Sequence, residues 1–226
     1  MKLSYYVNVV KLIMISEQEN RGYFIVFEGI DGSGSSTQAD LLHQYFLSQN
    51  QESVLSPEPS NGKIGKLLRE FLANPPSFLS DDLFEQQMAY LFTADRHFHL
   101  YNNVDGVKKL VEQNINVITT RYYFSSLAYN GKTESDFHFV ANLNQNFPPP
   151  DLLIYLDIPV DIALNRIGNR PFKEVYENKQ KLTLVRQNFE KIIDEYKYPY
   201  LKIDACQKQT EIHQQIIDSL ASTKYK

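Results

Sequence analysis

The chain has 226 residues, of which 42% are hydrophobic and 22% charged, a balance typical of a globular protein with a packed core in one or two domains. Its formal net charge of −4 argues against a nucleic-acid sheath, because neutralising phosphates needs a basic excess or stripe. The single cysteine, Cys206, excludes an internal disulfide framework and a cysteine-based zinc site, and no run of 18 apolar residues predicts a membrane span.

Residues 1–21 are expected to form a poorly ordered N-terminal extension. Lys2 and the apolar residues after it faintly resemble a signal peptide, but Asn8 and Lys11 interrupt the apolar stretch and no small-residue cleavage site follows. We therefore predict that residues 22–226 form a single domain.

Downstream of the extension, short apolar runs alternate with helical patterns of apolar spacing. The predicted strands are 23–27, 53–55, 116–120, 152–156 and 200–203. Helices are predicted from 36 onward, at 64–71, 81–101 with Asp81 or Asp82 as cap, 160–167 and 175–196, and in a last segment ending near 220. Strands separated by helices predict an α/β three-layer sandwich around a five-stranded parallel sheet, with ligands at the carboxyl ends of the strands.

The sharpest motif is a glycine-rich segment between the first strand and the first helix. It follows the pattern G-x-x-x-x-G-K-[ST], in which backbone N–H groups cradle phosphates at a helix N-terminus and a hydroxyl, here that of Ser36, binds Mg²⁺. A glycine-rich turn without a ligand is the alternative, but the order strand, loop, helix favours the phosphate site. Ser35 stands where the pattern has lysine. The predicted ATP phosphate-binding residues are Gly29, Ile30, Asp31, Gly32, Ser33, Gly34, Ser35, Ser36 and Thr37.

The segment EGIDGSGSSTQ resembles the phosphate loop of the thymidylate kinases, which are P-loop nucleoside monophosphate kinases. The resemblance extends over about 200 residues and recurs, in order, at 58–70, 91–96, 121–129, 150–157 and 163–170. It implies a P-loop fold with a helical lid at about 167–178, and phosphorylation of dTMP to dTDP in dTTP biosynthesis. It also implies ATP as phosphoryl donor, Mg²⁺, a homodimer and a cytoplasmic location, with no nucleic-acid or membrane partner.

Two side chains of the predicted helix 81–101 suit a nucleobase. Phe92 and Arg96 lie four residues apart and so share a helix face, where a ring can stack on a base and a guanidinium can donate hydrogen bonds. Taken alone, a core phenylalanine beside a surface arginine is the commoner arrangement. Phe84, Met88 and Leu91 already supply a core stripe, however, which leaves Phe92 off that stripe and favours a binding site.

Arg121 directly follows the third predicted strand, at the edge where ligands bind. The resemblance implies that Arg121 contacts the monophosphate as a catalytic residue, that Ser126 and Tyr129 line the thymine pocket, and that Asp31 meets the sugar 3′-hydroxyl. Helix packing for Ser126 and Tyr129, and an exposed strand-end charge for Arg121, are the alternatives. The full set of expected dTMP-binding residues is Asp31, Glu58, Pro59, Arg69, Phe92, Arg96, Arg121, Ser126 and Tyr129.

The family's aspartate before Arg121, which helps to hold Mg²⁺ through water, is Thr120 in this chain. Glu28 is then the nearest acid in the loop motif and a second metal candidate beside Ser36. None of the five histidines is assigned a catalytic role; His97 and His99 lie two residues apart, on different faces of a helix, and do not form a metal pair.

Lid arginines of the family close over the phosphates and stabilise charge in the transition state. Arg166 and Arg170 are therefore expected to be catalytic and, with Lys173, to replace the missing lysine; a solvated basic loop is the alternative. Two other functions stay open: a kinase for a different nucleoside monophosphate, and a nucleotide-binding protein that has lost catalysis through Ser35 and Thr120. The residues expected to contact the base, the sugar and the monophosphate are all present, which favours an active enzyme.

Overall fold

The fold is built on a five-stranded, wholly parallel sheet, as predicted; the computed structural model describes residues 21–77, 80–168 and 178–223. The strands are β1 (Phe24–Glu28), β2 (Ser53–Leu55), β3 (Asn116–Thr120), β4 (Leu152–Asp157) and β5 (Tyr200–Asp204). Their order in the sheet is β2-β3-β1-β4-β5. Every residue of β1 is buried, which is why this strand has an almost continuous apolar run rather than an alternating pattern.

Helices connect the strands and pack on the sheet through apolar faces that join one core. The helices are α1 (Ser35–Ser48), α2 (Lys63–Ala73), α3 (Asp81–Tyr101), α4 (Val107–Glu112), α5 (Tyr123–Asn130), α6 (Glu134–Asn144), α7 (Val160–Ile167), α8 (Lys179–Glu195) and α9 (Gln209–Thr223).

The longest of these helices, α3, contains the Phe92 and Arg96 pair and is N-capped by Ser80, whose side chain accepts a hydrogen bond from the Leu83 N–H. The prediction of Asp81 or Asp82 as the cap was wrong, because both residues lie inside the first turn.

The domain boundaries expected from the sequence fall partly outside the described residues. Residues 1–20 and 169–177 are outside them, and with them most of the predicted extension and most of the predicted lid. Arg21, placed in the extension, lies against the folded body: its guanidinium pairs with Asp151, and the next residue, Gly22, donates its N–H to the Val111 carbonyl at 2.9 Å. The division into an extension, one domain and a lid stays a prediction.

The sheet places two loops side by side at its carboxyl edge. Phe27 is in register with Thr120, so the loop after β1 and the loop after β3 leave the sheet as neighbours. β1 is also the strand at which the order reverses, with β3 on one side and β4 on the other. Such a switch point is where open α/β sheets bind ligands. In the described ranges, no helix is long and apolar enough to cross a membrane.

Candidate active site

The loop between β1 and α1 has a backbone that only glycine accommodates well. Gly29, Gly32 and Gly34 have φ values of 154°, 84° and 95°. A Cβ on Gly29 would lie 2.8 Å from the Leu156 carbonyl oxygen, and one on Gly32 would lie 2.6 Å from that of Ala163. The loop therefore wraps closely against β4 and α7 and leads into the N-terminus of a 14-residue helix, which is the arrangement that binds phosphate.

Hydroxyl groups crowd the first turn of α1. Ser35 is half-buried, Ser36 and Thr37 are exposed, and the turn contains no acidic residue. The Ser36 hydroxyl is exposed, as a Mg²⁺ ligand at this position would need to be, and its metal role stays a prediction. Among the described residues, no group of three or more His, Cys, Asp or Glu side chains could hold a metal ion without such a partner.

Glu28, the second metal candidate, accepts hydrogen bonds from residues at the start of α5. Its Oε1 accepts hydrogen bonds from the Tyr122 N–H at 2.7 Å and the Ser125 N–H at 3.1 Å, and its Oε2 accepts one from the Ser125 hydroxyl at 2.6 Å. Burial raises the pKa of this carboxyl to about 7, against the lowering effect of the Ser125 hydrogen bond and the Arg121 charge. Both oxygens accept hydrogen bonds from the start of α5, which favours a structural role for Glu28; its role as a metal ligand stays a prediction.

A cavity beside the phosphate loop brings together every residue expected to bind dTMP: Asp31, Glu58, Pro59, Arg69, Phe92, Arg96, Arg121, Ser126 and Tyr129. These residues come from the loops after β1, β2 and β3 and from helices α2, α3 and α5. Four further lining residues were missed from the sequence: Leu72, Tyr122, Ser125 and Asn130. Ser125 was within reach of sequence reasoning, because it lies four residues after Arg121 in the same motif.

Arg121 anchors the end of the cavity that faces the phosphate loop. Its backbone has a φ of 70°, which is rare for a residue other than glycine and turns the side chain back over the strand ends. The guanidinium donates to Asp31 Oδ1 at 2.5 Å and to the Ser125 hydroxyl at 3.1 Å, and it lies 4.9 Å from the centre of the Tyr129 ring. The Tyr129 hydroxyl in turn donates to Asp31 Oδ2 at 2.8 Å. Burial opposes the charge on Arg121, yet Asp31 keeps the pKa of this guanidinium well above its usual value.

Arg96 of α3 also lines the cavity and is only 1% exposed. Its Nε donates to Glu58 Oε2 at 2.9 Å, Nη2 to the Ser126 hydroxyl at 3.1 Å, and Nη1 to Asn144 Oδ1 at 2.5 Å. Phe92, one helical turn earlier, lines the same cavity. The side chain is thus a buried, fixed donor rather than a surface arginine.

Arg69 of α2 fixes the loop after β2 that forms one wall of the cavity. It donates to the carbonyl oxygens of Pro59 and Ser60, each at 2.7 Å. The position of Ser60 is also fixed by Asp95, because the Ser60 N–H and hydroxyl each donate to this buried carboxylate at 2.6 Å. The position of this wall is therefore fixed by hydrogen bonds within the protein, without a ligand.

On the lid side, Arg166 at the end of α7 joins the phosphate loop to the loop after β5. Its Nη2 donates to the Ala205 carbonyl at 3.0 Å and its Nη1 to the Gly32 carbonyl at 3.3 Å. These contacts place the guanidinium against the loop backbone. Arg170 and Lys173 lie outside the described residues, and the catalytic roles of Arg166 and Arg170 stay predictions.

The sequence model of the family described as "Thymidylate kinase" matches residues 27–216. The chain belongs to the thymidylate kinase family. A protein of Methanococcus aeolicus named "Probable thymidylate kinase" is 37% identical over 206 residues, covering 89% of this chain and 97% of its own length. A protein of Pyrococcus horikoshii with the same name is 36% identical over 206 residues, covering 87% and 95%. The solved structure of thymidylate kinase from Candida albicans covers 90% of this chain and 93% of its own, with 26% identity and a TM-score of 0.71.

For this member of the thymidylate kinase family, the matched region contains the phosphate loop, the whole cavity and Arg166. Two polar residues that were not expected from the sequence hydrogen-bond to residues of the cavity lining. Asn144 ends α6 and His99 lies in α3, and neither belongs to a motif that pointed to the site. Their importance follows only from the tertiary contacts they make.

Proposed function

We propose that this protein transfers a phosphoryl group from ATP to dTMP and produces dTDP for dTTP biosynthesis. The observation that carries the proposal is the cavity that begins at the phosphate loop with Asp31 and Arg121 and ends at Arg96. One end offers a fixed positive charge for a monophosphate, and the other offers ring and donor groups for a base.

Different side chains of the cavity contact the phosphate, the sugar and the base of the acceptor. Arg121 holds the monophosphate beside the loop, Asp31 accepts from the 3′-hydroxyl, and Phe92 stacks on the thymine, which Arg96 and Ser126 contact by hydrogen bonds. Phosphoryl transfer needs placement and charge stabilisation far more than covalent help from the protein, and these contacts supply the placement.

The donor half uses the phosphate loop for the ATP phosphates and the Ser36 hydroxyl for Mg²⁺. When bound, Mg²⁺ neutralises charge on the phosphates. Ser35 brings no positive charge, so we assign that role to lid cations, with Arg166, Arg170 and Lys173 as the candidates. A protein that binds nucleotide without catalysis is disfavoured, because it would have no need of so complete an acceptor pocket.

We propose a homodimer formed through α3 and α2. The face of α3 that points away from the core exposes Leu83, Tyr90, Phe98 and Tyr101, and the neighbouring Leu67 of α2 is 37% exposed. A contiguous apolar stripe of this kind favours a protein–protein contact. Light scattering should give twice the 26.3 kDa chain mass; a monomer would contradict this part of the proposal. A cytoplasmic location belongs to the same proposal.

A coupled assay of ADP release with dTMP, dUMP, UMP and CMP tests the proposed activity. We expect dTMP to be the best acceptor and dUMP to be used weakly, since a missing methyl group is worth about 1–3 kcal/mol in a pocket of this kind. Faster turnover of UMP or CMP would identify a kinase for another monophosphate. No turnover of any acceptor would support a protein without catalysis.

A further inference from the structure

A buried chain of polar side chains lies behind the base end of the cavity. The Ser56 hydroxyl lies 2.7 Å from His99 Nε2, and His99 Nδ1 lies 3.1 Å from Glu58 Oε1. The other carboxylate oxygen, Oε2, lies 2.9 Å from Arg96 Nε and 2.8 Å from Arg96 Nη2. His99 and Glu58 are each 4% exposed, so water does not substitute freely for these contacts.

The partners of His99 define the hydrogen that it carries. An ionised carboxylate only accepts, so the ring nitrogen facing Glu58, Nδ1, is the one that donates. Nε2 is then left to accept from the Ser56 hydroxyl. This neutral tautomer satisfies both nitrogens, and it leaves the negative charge of Glu58 matched by the positive charge of Arg96.

The chain determines how Arg96 faces the cavity. Glu58 accepts from Nε and lies 2.8 Å from Nη2 as an ion pair, Ser126 accepts from Nη2, and Asn144 accepts from Nη1. Nη1 carries two N–H groups and Asn144 engages one of them, so one N–H of Nη1 remains for a ligand. The carboxylate that sets this orientation is itself fixed on one oxygen by Arg96 and on the other by His99.

We propose that His99 is a positioning residue for the acceptor base, acting through Glu58 on the direction of the remaining Arg96 N–H. This inference rests on the proposed function, because it takes the cavity as the dTMP site. His99 touches no substrate, and without its Nδ1–H the Glu58 carboxylate can rotate and carry the guanidinium out of line. The expected consequence is weaker acceptor binding with an intact donor site.

Two amide substitutions separate the donor function of His99 from its packing. In His99→Asn the side-chain nitrogen takes the place of Nδ1, so the hydrogen bond to Glu58 is kept. In His99→Gln the amide reaches the place of Nε2, so the contact with Ser56 is kept and the donor to Glu58 is lost. His138→Gln makes the same chemical change at an exposed position of α6, outside the cavity lining and the proposed dimer face, and serves as the control.

Steady-state kinetics should show that His99→Gln raises KM for dTMP about tenfold, the fold-change typical of losing one charge-assisted positioning contact, while kcat and KM for ATP stay within about twofold. His99→Asn should restore KM to within about threefold, and His138→Gln should match the wild type. Equal KM values in the two His99 variants, or an equal loss of kcat and of affinity for both substrates, would overturn the proposal. Wild-type protein without dTMP turnover would instead contradict the proposed function.

A measurement on the unmutated protein covers the case in which His99→Gln does not fold. Nitrogen–proton NMR correlation spectra of the imidazole rings should show His99 as the Nδ1–H tautomer, with His→Gln variants at the other four histidines (His43, His97, His138 and His213) used to assign the fifth ring to His99. An Nε2–H tautomer at His99 would overturn the proposal whatever the activity of the enzyme.

Discussion

The acceptor cavity and the phosphate loop differ in the charged groups that they contain and in whether those groups have partners within the protein. In the cavity, Arg96 and Arg121 each have carboxylate and hydroxyl partners, and both lie in a largely buried setting. Around the phosphate loop, the first turn of α1 presents the hydroxyls of Ser35, Ser36 and Thr37 and no charge. The acceptor half of the site is assembled without a ligand, whereas the first turn of α1 brings no charged group to the phosphate half.

This difference suggests which half tolerates substitution. A buried arginine with fixed partners cannot be replaced without leaving a carboxylate or hydroxyl unpaired. A phosphate loop works mainly through backbone N–H groups at a helix N-terminus, which Ser35 leaves in place. A charge lost at Ser35 can be supplied by another cation, whereas Arg69 and Arg96, the other two arginines of the cavity lining, are already engaged by backbone carbonyls and by Glu58.

The largest effect is expected for Arg121→Ala. We predict a loss of about 10²–10³ in dTMP affinity with ATP affinity within a few-fold, because the guanidinium gives a charge-assisted, bidentate contact to the monophosphate. Calorimetric titration with each nucleotide measures both. Arg121→Lys, which has the same left-handed backbone demand and keeps the charge, should recover only part of the loss. Unchanged dTMP affinity in Arg121→Ala would remove this residue from the site.

Arg170→Ala should lower kcat by about 10²-fold or more with little change in the binding of either substrate. A lid cation that reaches the transferring phosphoryl group acts mainly in the transition state, and losing such a contact has this kinetic signature. Arg166→Ala is the companion variant, because Arg166 already contacts the phosphate-loop backbone. Steady-state and single-turnover kinetics separate the two effects, and near-normal kcat in both variants would refute compensation by the lid.

The buried Glu28 gives a pH-dependent prediction for the acceptor side. Its pKa rises from 4.5 to about 7 on folding, so the folded protein holds a proton that the unfolded chain has released between these values. The stability advantage of the protonated carboxyl is fully present below pH 4.5 and is lost as the pH rises through 7. Relative to Glu28→Gln, whose side chain does not titrate, the wild-type free energy of unfolding should fall by at most about 3 kcal/mol over this window.

Urea unfolding of the wild type and Glu28→Gln at pH 4.5, 6 and 8 measures this difference. Groups that titrate alike in both proteins cancel. A difference that does not change with pH would mean that the carboxyl keeps an ordinary pKa in the folded state.

The smallest effect is expected for Ser35→Lys. If lid cations already supply the charge, an added lysine should leave kcat unchanged or raise it by less than about threefold. Ser35→Met, which adds similar length without charge, is the control. A large gain in Ser35→Lys alone, together with near-normal kcat in Arg166→Ala and Arg170→Ala, would show that the loop lacks a charge that nothing else provides.

Local patterns allowed much of this fold to be predicted. Strands β1 and β4 are almost continuous apolar runs and the other three are short β-prone segments, and the predicted bounds of all five agree with the observed ones to within one residue at each end. Helices α4, α5 and α6 were missed because they are short or carry aromatic, serine and asparagine residues in place of a clear apolar stripe. Tertiary burial, rather than intrinsic propensity, stabilises them.

The lining of the cavity was predictable because it follows from contiguous motifs, each adjoining a strand end or forming one helix face. Its supporting contacts were not. Nothing in the sequence spacing of Glu28 indicates that it holds the start of α5, which is seen only in its distances to Tyr122 and Ser125. In the same way, His99 and Asn144 reach the site from positions with no motif, through pairings 41 and 48 residues apart in sequence.

The central claim is that the acceptor half of the site is complete without the donor half. Calorimetric titration of the wild-type protein with dTMP in the absence of ATP and Mg²⁺ tests it most directly, with UMP as the comparison ligand. We predict stoichiometric dTMP binding, UMP binding at least tenfold weaker, and the same dTMP affinity in Ser35→Lys. Absence of dTMP binding without the donor, or equal affinity for dTMP and UMP, would contradict the account.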